Sequence, residues 1–147
     1  MQSTEFHLQL GDWASMGTLA AQVRTQVFVQ EQAIPADMEW DDADASALHA
    51  VICDWQGQAV ATGRLLQPEP GIAKIGRMAV LRSVRGQGLG RQVLLALIKA
   101  ARQRGDYSVV LSAQHSAIGF YTQLGFVAHG AEYDDVGIAH RDMSLPL

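Results

Sequence analysis

The chain has 147 residues, 48% of them apolar and 18% charged, with a formal net charge of −4. This size and balance suit one soluble globular domain with one core, and they exclude general disorder. They also speak against a nucleic-acid binder, because gripping a phosphate backbone takes clustered Lys and Arg.

Residues 1–5 are polar and carry no basic leader. Phe6, Leu8 and Leu10 alternate with polar residues and predict a first strand. Gly11-Asp12 ends it. Asp12 or Ser15 then caps a helix that buries Leu19, Ala20, Val23, Val27 and Phe28, and Pro35 ends helical structure. The next stretch holds four carboxylates in six residues, Glu39, Asp41, Asp42 and Asp44. It reads as a loop or short helix whose charge would suit a cationic substrate.

Residues 48–55 and 59–66 are Val- and Ile-rich runs joined at Gln56-Gly57, a tight hairpin turn. Cys53 lies within the first of them and reads as a small buried apolar residue; as the lone cysteine it cannot form an intrachain disulfide. Pro68, Pro70 and Gly71 mark a second turn, and residues 72–80 complete an antiparallel meander. Basic residues gather between Arg77 and Arg104, a local site for a small polyanion. Beyond a glycine-rich segment, Val93, Leu94, Leu97, Ile98 and Ala101 share one face of a helix that Gly105 stops. Its longest apolar run, 93–98, is far too short to span a bilayer. Residues 107–113 predict a strand, 117–124 a short helix, and 126–131 and 138–145 two last strands. No linker or repeat divides the chain. The expectation is one domain over residues 1–147, with the cytoplasm as its setting and no membrane contact. The element order makes it α/β, a mixed sheet with helices on both faces.

The glycine-rich segment carries the chemistry. Arg85-Gly86-Gln87-Gly88-Leu89-Gly90 follows a strand and opens an amphipathic helix. The first turn of a helix has N–H groups without intrahelical partners, and they carry partial positive charge. Glycines let a ligand approach that backbone, so the place suits phosphate. Arg82, Arg85 and Arg91 add full charges. The spacing is not the G-x-G-x-x-G of a dinucleotide fold, and Gly90 is followed by Arg91-Gln92 rather than the Lys-Ser/Thr of a Walker loop. By itself the segment supports an anion site or a plain glycine turn.

Its surroundings say more. Residues 75–90, with Met78-Ala79-Val80 leading into Arg85-x-x-Gly88-x-Gly90, resemble the signature of the GNAT (Gcn5-related N-acetyltransferase) superfamily. Residues 114–126, with Gln114, Ala117, Phe120-Tyr121 and Gly125-Phe126, are similar to that family's second block. Gln114 stands where many members have Asn. A third block, 27–35 with Glu39-Trp40-Asp41, resembles one small bacterial branch. The likeness spans nearly the whole chain. It implies a mostly antiparallel sheet of six to seven strands, splayed between the fourth and the fifth. The pantetheine arm of acetyl-CoA would enter that splay and pair with the backbone of Met78 and Val80, beside Ala79. The pyrophosphate would rest on Arg85, Gly86, Gln87, Gly88, Leu89, Gly90 and Arg91. Gln114, Phe120 and Tyr121 would complete the cofactor contacts.

The implied reaction is direct attack of a primary amine, of a small molecule or a peptide, on the acetyl thioester in a ternary complex. It needs a proton acceptor, an oxyanion donor and a proton donor. Tyr121 aligns with the family's donor, and the backbone N–H near Val80 with its oxyanion site. For the base, Glu39 is the first choice among Glu39, Glu31, Asp42, Asp44, His49 and His115. Phe28, Glu31 and His115 are the expected substrate contacts. Trp13, Trp40 and Trp55 read as packing residues, with Trp40 a candidate pocket wall. Dispersed histidines give no metal-ligand spacing. Relatives of this kind often pair through their last strands, so a homodimer is one assembly to expect. The competing readings are a CoA-binding or sensing domain without turnover and a different nucleotide-binding domain built on the same loop.

Overall fold

The computed structural model describes residues 5–147, so the polar start at residues 1–4 lies outside the described residues. One seven-stranded sheet runs through them in the order β1-β2-β3-β4-β5-β7-β6. Strand β1 (Phe6–Gly11) ends at Asp12, whose Oδ1 accepts from the backbone N–H of Ser15 at 3.0 Å and so caps α1 (Trp13–Arg24). Helix α1 does not simply stop. It widens into a π-helical turn, Thr25–Glu31, which still buries Val27 and Phe28. Such wide turns concentrate at functional sites. A short α2 (Ala36–Glu39) and a 3-10 turn (Asp42–Ser46) take up the acidic stretch.

Strands β2 (Leu48–Asp54), β3 (Ala59–Glu69) and β4 (Ile72–Val80) form the expected antiparallel meander. The second turn is tighter than the three punctuating residues suggest. Strand β3 carries on through Pro68, and only Pro70 and Gly71 turn the chain. The first seven residues of β3, 59–65, are all buried. A strand points successive side chains to opposite faces, so both faces there must be covered. Helix α3 (Leu89–Gln103) covers one, packing Val93 and Leu97 on Gly63; α1 covers the other, where Arg24 and Arg64 meet the same carboxylate. The chain then forms β5 (Ser108–Gln114), α4 (Ile118–Gln123), β6 (Val127–Asp135) and β7 (Ile138–Pro146). Strand β6 outruns the expected 126–131 because Tyr133, Asp134 and Asp135 rejoin β7 after a register break past His129.

The one parallel contact decides where a ligand can go. Strand β4 pairs with β5 only at Ile72↔Ser108, Ala73↔Val109 and Lys74↔Val110. After Lys74 the two strands part, as the splayed sheet requires. Strand β4 also bulges against β3: Thr62 faces Ala79 while Arg64 faces Gly76, so Gly63 stands opposite both Arg77 and Met78. Arg77 takes a positive φ of 52°, unusual for a residue with a Cβ.

Gly63 is where the fold has no spare room. A Cβ there would lie 2.6 Å from Met78 Sδ, 2.8 Å from Val93 Cγ1 and 3.0 Å from Leu97 Cδ1. The methionine can swing away, but a β-branched valine on a helix cannot. Gly63→Ala should therefore lower stability by ~1–3 kcal/mol in urea unfolding. Gly76→Ala, whose Cβ would meet nothing within 4 Å, serves as the control. Equal midpoints for the two variants would contradict this packing.

Candidate active site

Where β4 and β5 part, a cavity of about 400 Å³ opens. Phe28 of the wide turn, Gln32 just after it, Met78 of β4, Ser112 and Gln114 of β5 and Tyr121 of α4 are among the residues of its wall. Gln32 and Gln114 form an amide pair across it, Gln114 Nε2 donating to Gln32 Oε1 at 2.9 Å. Ala79 is buried in the sheet opposite Thr62 and does not face the cavity.

The glycine loop continues from the end of β4. Gly88 is the N-cap of α3 with φ 78°, and no side chain caps the helix. A Cβ on Gly86 or Gly88 would meet nothing within 4 Å, so that side of the backbone is open. Phe120 and the Val80 side chain lie closest to Gly90. An uncapped N-terminus with open glycines and Arg82, Arg85 and Arg91 about it can hold a phosphate group. Arg85 has other partners, however. Its guanidinium makes two 2.7 Å bonds to Glu31, and its Nε donates to the carbonyl of Val80 at 3.0 Å. Those bonds hold the Glu31 carboxyl below its ordinary range.

Tyr121 is 7% exposed and packs edge-on against Phe120 and Phe126. Burial pushes its phenol up to about 12, so it stays protonated at any physiological pH.

Three of the four carboxylates of the acidic stretch are not free for a cationic substrate, because the protein's own arginines take up Glu39, Asp41 and Asp44, while Asp42 is exposed. Arg24, 1% exposed, donates from Nε to Glu39 Oε1 at 2.8 Å and from its two terminal nitrogens to Asp44 at 2.8 and 3.1 Å. Arg64 grips Asp41 through two bonds of 2.7 and 2.9 Å and reaches Asp44 as well. Arg77 closes the lattice, 3.3 Å from Glu39 Oε1 and 3.3 Å from Asp41. Trp40 and Trp13 lie over the Arg24 guanidinium at 4.7 and 5.7 Å, so Trp40 packs on the lattice rather than walling the cavity. Glu39 does line the cavity. Burial raises its carboxyl against the pull of Arg24 and Arg77. For Asp44 burial works in the same upward direction, and the arginines outweigh it.

The remaining expected residues fall in different places. Phe28 lines the cavity. Glu31 does not; it faces Arg85 and the phosphate loop. His115 is exposed, lies outside the cavity wall and pairs with Glu132. His49 is buried against Trp13 with Nε2 2.9 Å from the Asp44 carbonyl oxygen, and burial lowers its pKa. The sequence reading missed Arg24, Gln32, Arg64 and His140, of which all but Arg24 line the cavity. A spacing signal did exist for Arg24, which sits four residues from both Ala20 and Phe28 and so on the buried stripe of its helix.

Residues 16–147 match the family described as "Acetyltransferase (GNAT) domain". A Bacillus subtilis protein, the uncharacterized N-acetyltransferase YjcF, is 38% identical over 122 residues, covering 82% of this chain and 86% of its own. An acyl-CoA N-acyltransferase from Pseudomonas aeruginosa superposes with a TM-score of 0.84 at 34% identity, covering 95% of this chain and 99% of that one. ElaA of Escherichia coli superposes at 0.85 with 26% identity and covers 95% and 99%.

The ion lattice predicts an acid response. The bonds from Arg64 bring Asp41 down from 3.8 to about 2. A depressed carboxyl stabilises the fold above its unfolded pKa and loses that contribution as pH falls through its folded value. Glu39, raised instead, has the opposite sign and loses nothing on acidification. Thermal midpoints should drop between about pH 4 and pH 2, and Asp41→Asn should drop less steeply over that window. Parallel pH curves for the two proteins would rule the pairing out.

Proposed function

The chain belongs to the GNAT acetyltransferase family, and from that premise we propose that it moves the acetyl group of acetyl-CoA to a primary amine of a small molecule or peptide by direct attack in a ternary complex. One observation carries the reading. Strand β4 parts from β5, an uncapped helix N-terminus stands at the end of the gap, and a buried phenol stands in its wall. We take the whole chain as one acetyltransferase domain working in the cytoplasm; no described helix is long and apolar enough to cross a membrane.

The residues present fit CoA. The β5-facing edge of β4 beyond Lys74 has backbone groups without a strand partner, which suits the amide-bearing pantetheine beside Met78 and Val80. The loop 85–91 suits the pyrophosphate, with Arg85 exchanging Glu31 for it. When bound, acetyl-CoA supplies the acyl group as an activated thioester.

Tyr121 is the proton donor in this reading. Its burial keeps the proton on the oxygen and so available to the departing sulfur. Donation to a thiolate of ordinary pKa ~8.5 from a phenol near 12 is uphill by about 5 kcal/mol. The same dry surroundings disfavour the thiolate too, which narrows that gap. Glu39 is assigned to the wall, since its Oε1 is already engaged by both Arg24 and Arg77.

Thiol release from acetyl-CoA across a panel of primary amines tests the activity. Tyr121→Phe should lower kcat on any accepted amine by about 100-fold with CoA affinity retained. A blank panel beside clear CoA binding would make this a binding domain. Glu31→Gln should tighten CoA binding several-fold in calorimetry by freeing Arg85, and an unchanged Kd would remove Arg85 from the pyrophosphate site.

A further inference from the structure

We propose that His140 is the general base, taking the proton from the attacking amine; the proposal rests on the acetyltransfer reading above. His140 lies in β7, opposite Gln114 of β5 and Tyr133 of β6. It is 7% exposed and belongs to the cavity wall, alongside Tyr121. Its Nδ1 is 2.8 Å from the carbonyl oxygen of Ile138. A carbonyl oxygen can only accept, so Nδ1 carries the hydrogen and the neutral ring keeps its lone pair on Nε2. Among the described residues Nε2 has no protein partner, and it is not one of the fully buried polar atoms left without one.

The ring is also held. The Tyr133 ring lies within 23° of parallel to it, with centroids 6.2 Å apart. Tyr133 is itself tied down, donating to Asp142 Oδ1 at 2.6 Å and touching the hydroxyl of Ser112. A lone pair of fixed tautomer on a fixed ring in a cavity wall is what a base at that position needs.

Neither of the other two histidines weighed as a base combines these features, and Glu39 is committed to the ion lattice. The Oε1 of Glu39 is engaged by two arginines, Nε2 of His49 by a carbonyl, and His115 lies outside the wall. The charges that share the cavity with His140 balance in sign. Asp135 comes from β6, and Glu39 and Asp41 from α2 and the segment after it. Against them stand Arg64 of β3 and Lys74 and Arg77 of β4, with the neutral Tyr121 phenol on α4.

The proton balance closes. The amine nitrogen bonds to the acetyl carbon as the carbon–sulfur bond breaks. One N–H proton passes to Nε2, and Tyr121 gives one to the departing sulfur. The imidazolium proton then restores the phenol through solvent, leaving an amide, a CoA thiol and an unchanged protein.

Two measurements test this. Long-range proton–nitrogen NMR of the wild-type protein alone should show the Nδ1-protonated tautomer for His140, and an Nε2-protonated ring overturns the proposal. On an amine that the wild type accepts, His140→Asn can keep an N–H hydrogen bond to the Ile138 carbonyl while removing the basic ring nitrogen. Its kcat should fall by about 100-fold or more, with CoA affinity unchanged. His140→Ala should recover part of its rate with added imidazole. Wild-type kcat in His140→Asn, or no imidazole rescue, sinks the assignment and leaves the acetyltransfer reading standing. A wild-type protein that binds CoA yet turns over no amine sinks that reading, and the assignment falls with it.

Discussion

A sheet that stops pairing in its middle is the constraint on which the rest depends. Backbone N–H and C=O groups that leave a ladder need other partners, or they cost free energy wherever water cannot reach them. Beyond Lys74, β4 has β3 on one side and a cavity on the other. The fold therefore keeps the gap open and polar rather than packed. The bulge at Arg77 and Met78 belongs to the same arrangement, since an extra residue on one strand bends it and sharpens its twist. Close packing of α3 on Gly63 supports the bulged stretch from one face, and the ion lattice around Arg24 and Arg64 meets it from the other.

That lattice is an expensive way to build a wall. Removing charges from water costs several kcal/mol per ion, and well-packed apolar residues often serve stability as well or better. The lattice offers geometry instead. Arg24 reads Glu39 and Asp44 together, and Arg64 reads Asp41 and Asp44, so α1, the acidic stretch and β3 are fixed to one another by forked bonds with little freedom of register. Arg77, the strained residue of the bulge, joins the same carboxylates. Distortion in β4 and charge in the wall thus brace each other. The cost of the positive φ at Arg77 is offset by bonds that a relaxed backbone would aim elsewhere.

The succession of elements, the meander, the amphipathic α3 and the glycine loop were legible because each rests on local rules: alternation, helical spacing and turn chemistry. The parting of β4 from β5 came from resemblance, since no pattern within either strand announces that pairing will fail after three residues. The acidic stretch was misread for a physical reason. Carboxylates in a row look solvated until their partners are known, and Arg24, Arg64 and Arg77 lie 15 or more positions away in sequence. Arg64 sits in an otherwise apolar strand and Arg24 on a buried helical stripe, and two arginines at core positions ask for two or more buried acids. His140 was hidden differently. Its tautomer depends on the Ile138 carbonyl two residues away, a feature of backbone geometry at the end of a hairpin rather than of composition.

The wide turn after α1 couples the parts. Its last residue, Glu31, and the Gln32 that follows it each hold a group at one end of the gap: Glu31 holds Arg85 of the glycine loop, and Gln32 holds the Gln114 amide at the end of β5. Phe28 of the same turn lines the cavity between them. A ligand that draws on Arg85 competes with Glu31, and one that draws on Gln114 competes with Gln32. The differential interaction that shifts a conformational equilibrium is therefore present in these two clasps. A π-helical turn suits that position, because its looser i→i+5 bonds are weaker than those of the α-helix it continues. The one turn is thus tied to the glycine loop at one end of the gap and to the end of β5 at the other, so both ends share one set of bonds.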